Sequence, residues 1–120
     1  MPSADPAADV AHFTGAVGAE LVFAIEAFGT RVAMVRLSEE PPALLFAGHL
    51  DGERPVLVYR VDDLERAIAE LEARGGAAGT RFGIPHGPGC EFHTPGGHRF
   101  AIYELTRPDA AARLVGRRDF

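Results

Sequence analysis

Apolar positions recur along this chain with two periods, and the switches between them mark out its elements. From Asp62 to Arg74, Leu64, Ala67, Ile68 and Leu71 fall at i, i+3, i+4 and i+7, the single stripe of an amphipathic helix. Asp62 is placed to cap it with Glu65 as a capping-box partner, Arg66–Glu70 and Glu70–Arg74 are i,i+4 pairs, and Gly75 supplies the stop. Pro55 to Val61 is rich in β-branched and aromatic residues and predicts a strand. Three more strands are predicted over about 77–82, 90–93 and 99–105, separated by the Gly/Pro-rich stretch Gly83–Gly89 and by a hairpin turn at Thr94-Pro-Gly-Gly97. In the last strand Phe100 and Ile102 face one side, toward the helix stripe, and Arg99, Ala101 and Tyr103 face the other.

The first half repeats this pattern weakly. Asp5 to Gly18 has the length of Asp62 to Gly75, opens on a capping Asp followed by Pro6 at the first helical position, and carries Val10, Phe13 and Val17 as its stripe. Strands are predicted over 20–27 and 31–38, turning near Phe28-Gly29, and over 43–49. Only Met1–Ala4 precede the first cap, so an opening strand is expected to be missing, unless the true start lies upstream. The expected organisation is a single α+β domain of paired modules. Residues 1–54 form the shortened first module, 55–106 the complete second, and 107–120 a tail with a short helix at Asp109–Val115.

Composition narrows the function classes. At 120 residues, 47% apolar and 24% charged, the chain is an ordinary globular one. A net charge of −5 argues against a nucleic-acid face. No apolar run reaches the roughly 20 residues of a membrane span, and the N-terminus lacks the pattern of a secretion signal. The lone cysteine, Cys90, has no internal partner, which fits a reducing, cytoplasmic compartment.

Tyr59-Arg-Val-Asp-Asp-Leu-Glu-Arg-Ala-Ile-Ala-Glu-Leu-Glu-Ala-Arg-Gly75, then Gly87-Pro-Gly89, then Thr94-Pro-Gly-Gly-His-Arg-Phe-Ala-Ile-Tyr-Glu104 resembles the glyoxalase/bleomycin-resistance/extradiol-dioxygenase (vicinal oxygen chelate) superfamily. Asp5 to Gly18 resembles the first-module helix of the same family. The resemblance implies two βαβββ modules curved around a cleft. In catalytic members it also implies a divalent metal held by His and Glu/Gln from the first and last strand of each module. Here Val56 stands where the second-module His is usual, six residues before Asp62, and Ala101 stands where the final-strand Glu is usual. The strand Ala43–His49 offers no carboxylate, leaving His49 as the one candidate metal ligand. A metal needs three or four convergent donors, so no metal site is expected.

The candidate ligand-binding residues are therefore Val56, Val58, Ala101 and Tyr103 as an apolar wall, with Arg60 and Arg99 beside them and His86 on the intervening loop. Two guanidinium groups beside a phenol would suit an anionic ligand. Cys90, His93 and His98 make a short Cys/His cluster, but Cys90 and His93 point to opposite faces of a strand. The reading is a metal-free, non-catalytic protein that binds a small molecule and needs no cofactor. The alternative is a lyase or dioxygenase with a divalent metal bound through atypical ligands such as His49, and a third reading is a structural dimer without a ligand. The missing opening strand would leave a sheet edge bare, and this predicts a homodimer.

Overall fold

The computed structural model describes residues 1–27 and 29–120, and its contacts divide the chain into two units. The first unit is Met1–Glu53 with Arg113–Phe120; the second is Arg54–Ala112.

In the first unit, helix α1 (Pro6–His12) starts where the Asp5 carboxylate accepts the amides of Ala7 and Ala8, with Pro6 at the first turn. It runs on into a π-helical turn, Phe13–Val17, and ends at Gly18 with φ +79°. Strands β1 (Glu20–Ala27), β2 (Thr30–Arg36) and β3 (Ala43–Ala47) form an antiparallel sheet in that order. The expected turn at Phe28-Gly29 is in part beyond view, because Phe28 lies outside the described residues. Alternation splits the sheet into two faces. Ala24, Ala33, Val35 and Phe46 pack with Val10 and the half-buried Phe13 under α1, and the Phe13 and Phe46 rings lie 5.0 Å apart. The opposite face carries Phe23, Ile25, Val32, Met34 and Leu45, all apolar.

No named strand precedes α1, yet its place is not empty. Pro2 bridges Ala47 in parallel, Ser3 donates to the Ala47 carbonyl (3.2 Å), and Ala47 donates to that of Met1 (3.0 Å). The other edge is also paired, by a segment that the sequence presents as a tail. Arg118 bridges Ala24 in parallel, Asp119 donates to the Ala24 carbonyl (2.7 Å), and Phe120 packs against the core with Arg31 over its ring. The Asp119 carboxylate accepts the Glu26 amide, and the bonded Arg117 guanidinium, together with that amide, holds it below the usual carboxylate range. The bare edge from which a homodimer was expected is thus occupied on both sides of this sheet.

The second unit holds β4 (Val56–Val61), α2 (Leu64–Ala73), β5 (Ala77–Ile84), β6 (Gly87–His93), β7 (Arg99–Glu104) and α3 (Pro108–Ala112). Its sheet order is β4-β7-β6-β5, with β4 parallel to β7 and the other pairs antiparallel. The α2 stripe meets Cys90, Phe92, Phe100 and Ile102; Leu64 and Ile68 are its buried members and Leu71 is half-buried.

Three expectations are corrected here. Asp63, not Asp62, caps α2, accepting the Arg66 amide at 3.0 Å, and Glu65 is no capping-box partner but pairs with Arg81 on β5. The repeat is accordingly one residue longer in the first unit, and the π turn absorbs the extra residue. Gly83–Gly89 is not an open loop either. Ile84 pairs with Gly87, so β5 and β6 form a hairpin whose turn is Pro85-His86. Finally, the short helix of the tail lies at Pro108–Ala112 rather than at 109–115.

The buried position of Phe46 beside Phe13 makes it the keystone of the first unit. Phe46→Ala is expected to cost about 3–5 kcal/mol in a chemical denaturation series, and Phe13→Ala less, since Phe13 is only half-buried. Equal costs would contradict this placement of the core.

Candidate functional site

The α2-free face of the second sheet collects the expected wall residues in register. Across the parallel pair, Val56 stands beside Arg99, Val58 beside Ala101, and Arg60 beside Tyr103. Register partners share a face, so all six lie on one surface, opposite the α2 stripe. Next along the sheet, the antiparallel register sets Gly89 beside Tyr103, Glu91 beside Ala101 and His93 beside Arg99. Ala101 is buried to 1% exposure at the centre, while Val58 is 51% exposed on the edge strand.

Close backbone approach explains the glycines around it. A Cβ on Gly89 would fall 2.3 Å from Phe82 Cζ, so the Phe82 ring lies across Gly89 on this same face. A Cβ on Gly87 would meet the Glu104 carbonyl at 2.0 Å, which only glycine avoids. These tight contacts carry the hairpin right up to Pro85-His86. His86 is half-buried. Its carbonyl accepts the amides of Thr106 (3.0 Å) and Arg107 (2.8 Å), and its ring meets Tyr103 edge-on at 6.3 Å. The row Arg60, Tyr103 and Phe82, with His86 at its end, is thus a cationic and aromatic border.

The two arginines differ. Arg99 donates to the Arg54 carbonyl at 3.3 Å and tethers the segment leading into β4. Arg60 has no hydrogen bond or ion pair among the described residues. Glu91 is the carboxylate of this face, half-buried, and its side chain likewise has no partner among them. Sequence reading missed Glu91. Its signal was the alternation Cys90-Glu91-Phe92, in which two buried neighbours send the middle residue to the other face. Its place beside Ala101 follows only from the β6–β7 register.

Other charged groups near the site are structural. Glu104 accepts the Leu64 amide at 3.0 Å, so this carboxylate holds the first turn of α2 on the far face. The Arg81 guanidinium bonds Glu65 and holds it below the usual carboxylate range, joining α2 to β5. Cys90 is fully buried under α2, and His98 sits exposed beyond the Thr94 turn, so the Cys/His cluster does not converge.

The donor set does not fit a divalent ion. Val56 and Ala101 are apolar, the open face of β3 presents Leu45 and Ala47, and His49 is exposed beyond the end of β3. Among the described residues no group of three or more His, Cys, Asp or Glu could hold a metal.

Solved structures place this arrangement. Methylmalonyl-CoA epimerase from Mycobacterium tuberculosis superposes with a TM-score of 0.74 at 20% identity, over 92% of this chain and 87% of that one. A selenomethionine methylmalonyl-CoA epimerase gives 0.71 at 14% identity, over 88% and 91%. The chain has the vicinal oxygen chelate fold. No protein-family model and no curated protein matches the sequence. Val56 and Ala101, where the resemblance in the sequence would set metal ligands, are both apolar. Glu91 lies beside Ala101 on the adjacent strand.

If Glu104 acts as a cap, Glu104→Ala lowers stability by about 1 kcal/mol in urea titration, and Glu104→Gln recovers part of it. No loss in either variant would contradict that role.

Proposed function

We propose that this chain is a small-molecule-binding protein of the vicinal oxygen chelate superfamily, metal-free and non-catalytic, with the α2-free face of the second sheet as its binding wall. The observation that carries the reading is the character of this face. It has an apolar centre (Val58, Ala101, Tyr103) bordered by a guanidinium, Arg60, and a carboxylate, Glu91, neither of which has a side-chain partner among the described residues. Polar groups placed singly around an apolar floor fix the orientation of a ligand, while the floor supplies most of the contact area. The ligand class that fits has an apolar, preferably planar body to lie on Tyr103 and Phe82. It carries a donor or cationic group for Glu91 and an anionic or acceptor group for Arg60. His86, beside Tyr103, and Arg99 and Val56, at the opposite end, frame the wall.

The divalent-metal enzyme reading finds no support in the donor set, because Val56 and Ala101 are apolar, His49 is exposed, and among the described residues no group of three or more His, Cys, Asp or Glu could hold a metal. The proposal includes a homodimer and a cytoplasmic setting, and no nucleic-acid face. Among the described residues no helix is long and apolar enough to cross a membrane.

Thermal-shift screening of a small-molecule library with a chelator present tests the reading. A ligand at 100 times its dissociation constant adds about 2.7 kcal/mol. Glu91→Gln and Arg60→Ala are each expected to reduce the shift of the best compounds while leaving the unliganded melting temperature nearly unchanged. Hits indifferent to both substitutions, or no hits at all, would overturn it.

A further inference from the structure

The chain itself fills both edges of the first sheet, but the two are held differently. On β3, residues 1–3 lead straight into α1, with Ser3 and Pro6 buried. On β1, within the same unit, residues 116–119 are exposed and Phe120 is half-buried against the core. A short parallel ladder holds them. Gly116 donates to the Val22 carbonyl (2.8 Å), Ala24 to that of Arg117 (2.9 Å), and Asp119 to that of Ala24 (2.7 Å). A segment with so few buried apolar contacts and so short a ladder belongs to the low end of local stability, where it opens while the rest of its unit stays folded.

Beyond that ladder a side chain takes over. In a continued parallel pattern the Glu26 amide would meet the Asp119 carbonyl; it donates instead to the Asp119 carboxylate, at 2.9 Å. The Arg117 guanidinium bonds both oxygens of that carboxylate (3.1 and 2.8 Å) and so holds the acid in place. Phe120, next in the chain, turns onto the core cluster under Arg31. The guanidinium carbon stands 5.2 Å from the ring centroid, and Arg31 Nε bonds Glu26 at 3.0 Å. The β1 edge therefore selects three things: an extended backbone, an acid at one position, and an aromatic ring at the next.

We infer that the β1 edge is a strand-docking site for another protein, filled in this structure by the chain's own residues 116–120. The partner it fits presents an extended segment of the same chemistry, basic residues followed by Asp and an aromatic. The inference is independent of the small-molecule wall. Adding a strand to a sheet edge draws affinity from backbone bonds, which nearly any sequence can make, and the acid and the ring supply the selection. Charge fits such a partner. The chain carries −5, whereas Arg113, Arg117 and Arg118 make the segment seated here basic. Tethered in the same chain, residues 116–120 compete at an effective concentration on the order of millimolar, which closes the site to weak partners.

A fluorescent peptide of residues 113–120, titrated by anisotropy into the full wild-type chain and into the full chain carrying Asp119→Ala and Phe120→Ala, tests this. The double variant is expected to bind at least about tenfold more tightly than the wild type, because its own segment competes poorly. A peptide carrying the same two substitutions is expected not to bind. In hydrogen exchange the Ala24 and Glu26 amides are expected to lose protection in the variant and regain it with the peptide, while the β2–β3 ladder stays protected throughout. If the double variant unfolds, Asp119→Ala alone, which keeps the Phe120 ring on the core, carries the same comparison. No binding to either protein, equal affinities, or binding indifferent to the peptide's Asp and Phe would overturn the docking site. Loss of the β2–β3 protection in both variants would overturn it too, because residues 116–120 would then be part of the core. A variant with twice the mass of the wild type in light scattering would overturn the outside partner in favour of a second copy.

Discussion

The parallel ladder between β4 and β7 is the constraint on which the rest of the second unit depends. Its register, Val56 to Arg99 through Val61 to Glu104, decides which side chains face α2 and which face away. A slip of one residue would turn Ile102 and Phe100 outward and bury Arg99 and Tyr103 under the helix. The α2 stripe opposes any such slip, since Leu64 and Ile68 bury themselves against Cys90, Phe92 and Ile102. The open face is thus the complement of the core, determined by what the helix must cover.

Polar contacts fix the ladder's two ends. At one end, Arg99 reaches back to the Arg54 carbonyl and Arg54 to that of Gly97, closing the entry to β4 against the turn before β7. At the other, Glu104 takes the first amide of α2, so the last residue of β7 anchors the helix that follows β4. This carboxylate is therefore engaged in capping on the face that α2 covers. Glu91, on a neighbouring strand, has no side-chain partner among the described residues. Its register partner on β7 is the buried Ala101.

Much of this architecture was legible in the sequence, because it rests on local periodicity. The α2 stripe and the alternation of Arg99 to Tyr103 are both one-dimensional signals. What escaped depends on contacts between distant residues. The choice between Asp62 and Asp63 as cap is settled by the approach of Glu104 and Arg81 to the helix start. The π turn after His12 is a one-residue adjustment that a repeat of matching ends conceals. The turn at Pro85-His86 follows from the close approach of Gly87 and Gly89 to β7 and Phe82, which turn composition alone reads as a loop. The pairing of Arg118 with Ala24 closes a sheet edge across most of the chain. Glu91 belongs to this class: its face was implied locally, its neighbour was not.

The functional account turns on whether the open face, rather than the groove beside α2, receives the ligand. Amide chemical-shift mapping of isotope-labelled protein, titrated with the strongest stabilising compound in the presence of a chelator, tests this most directly. The account predicts that the largest changes cluster at Val58, Glu91, Ala101 and Tyr103. Changes centred on Ala67, Leu71 and Arg74, or a response that disappears with the chelator, would contradict it.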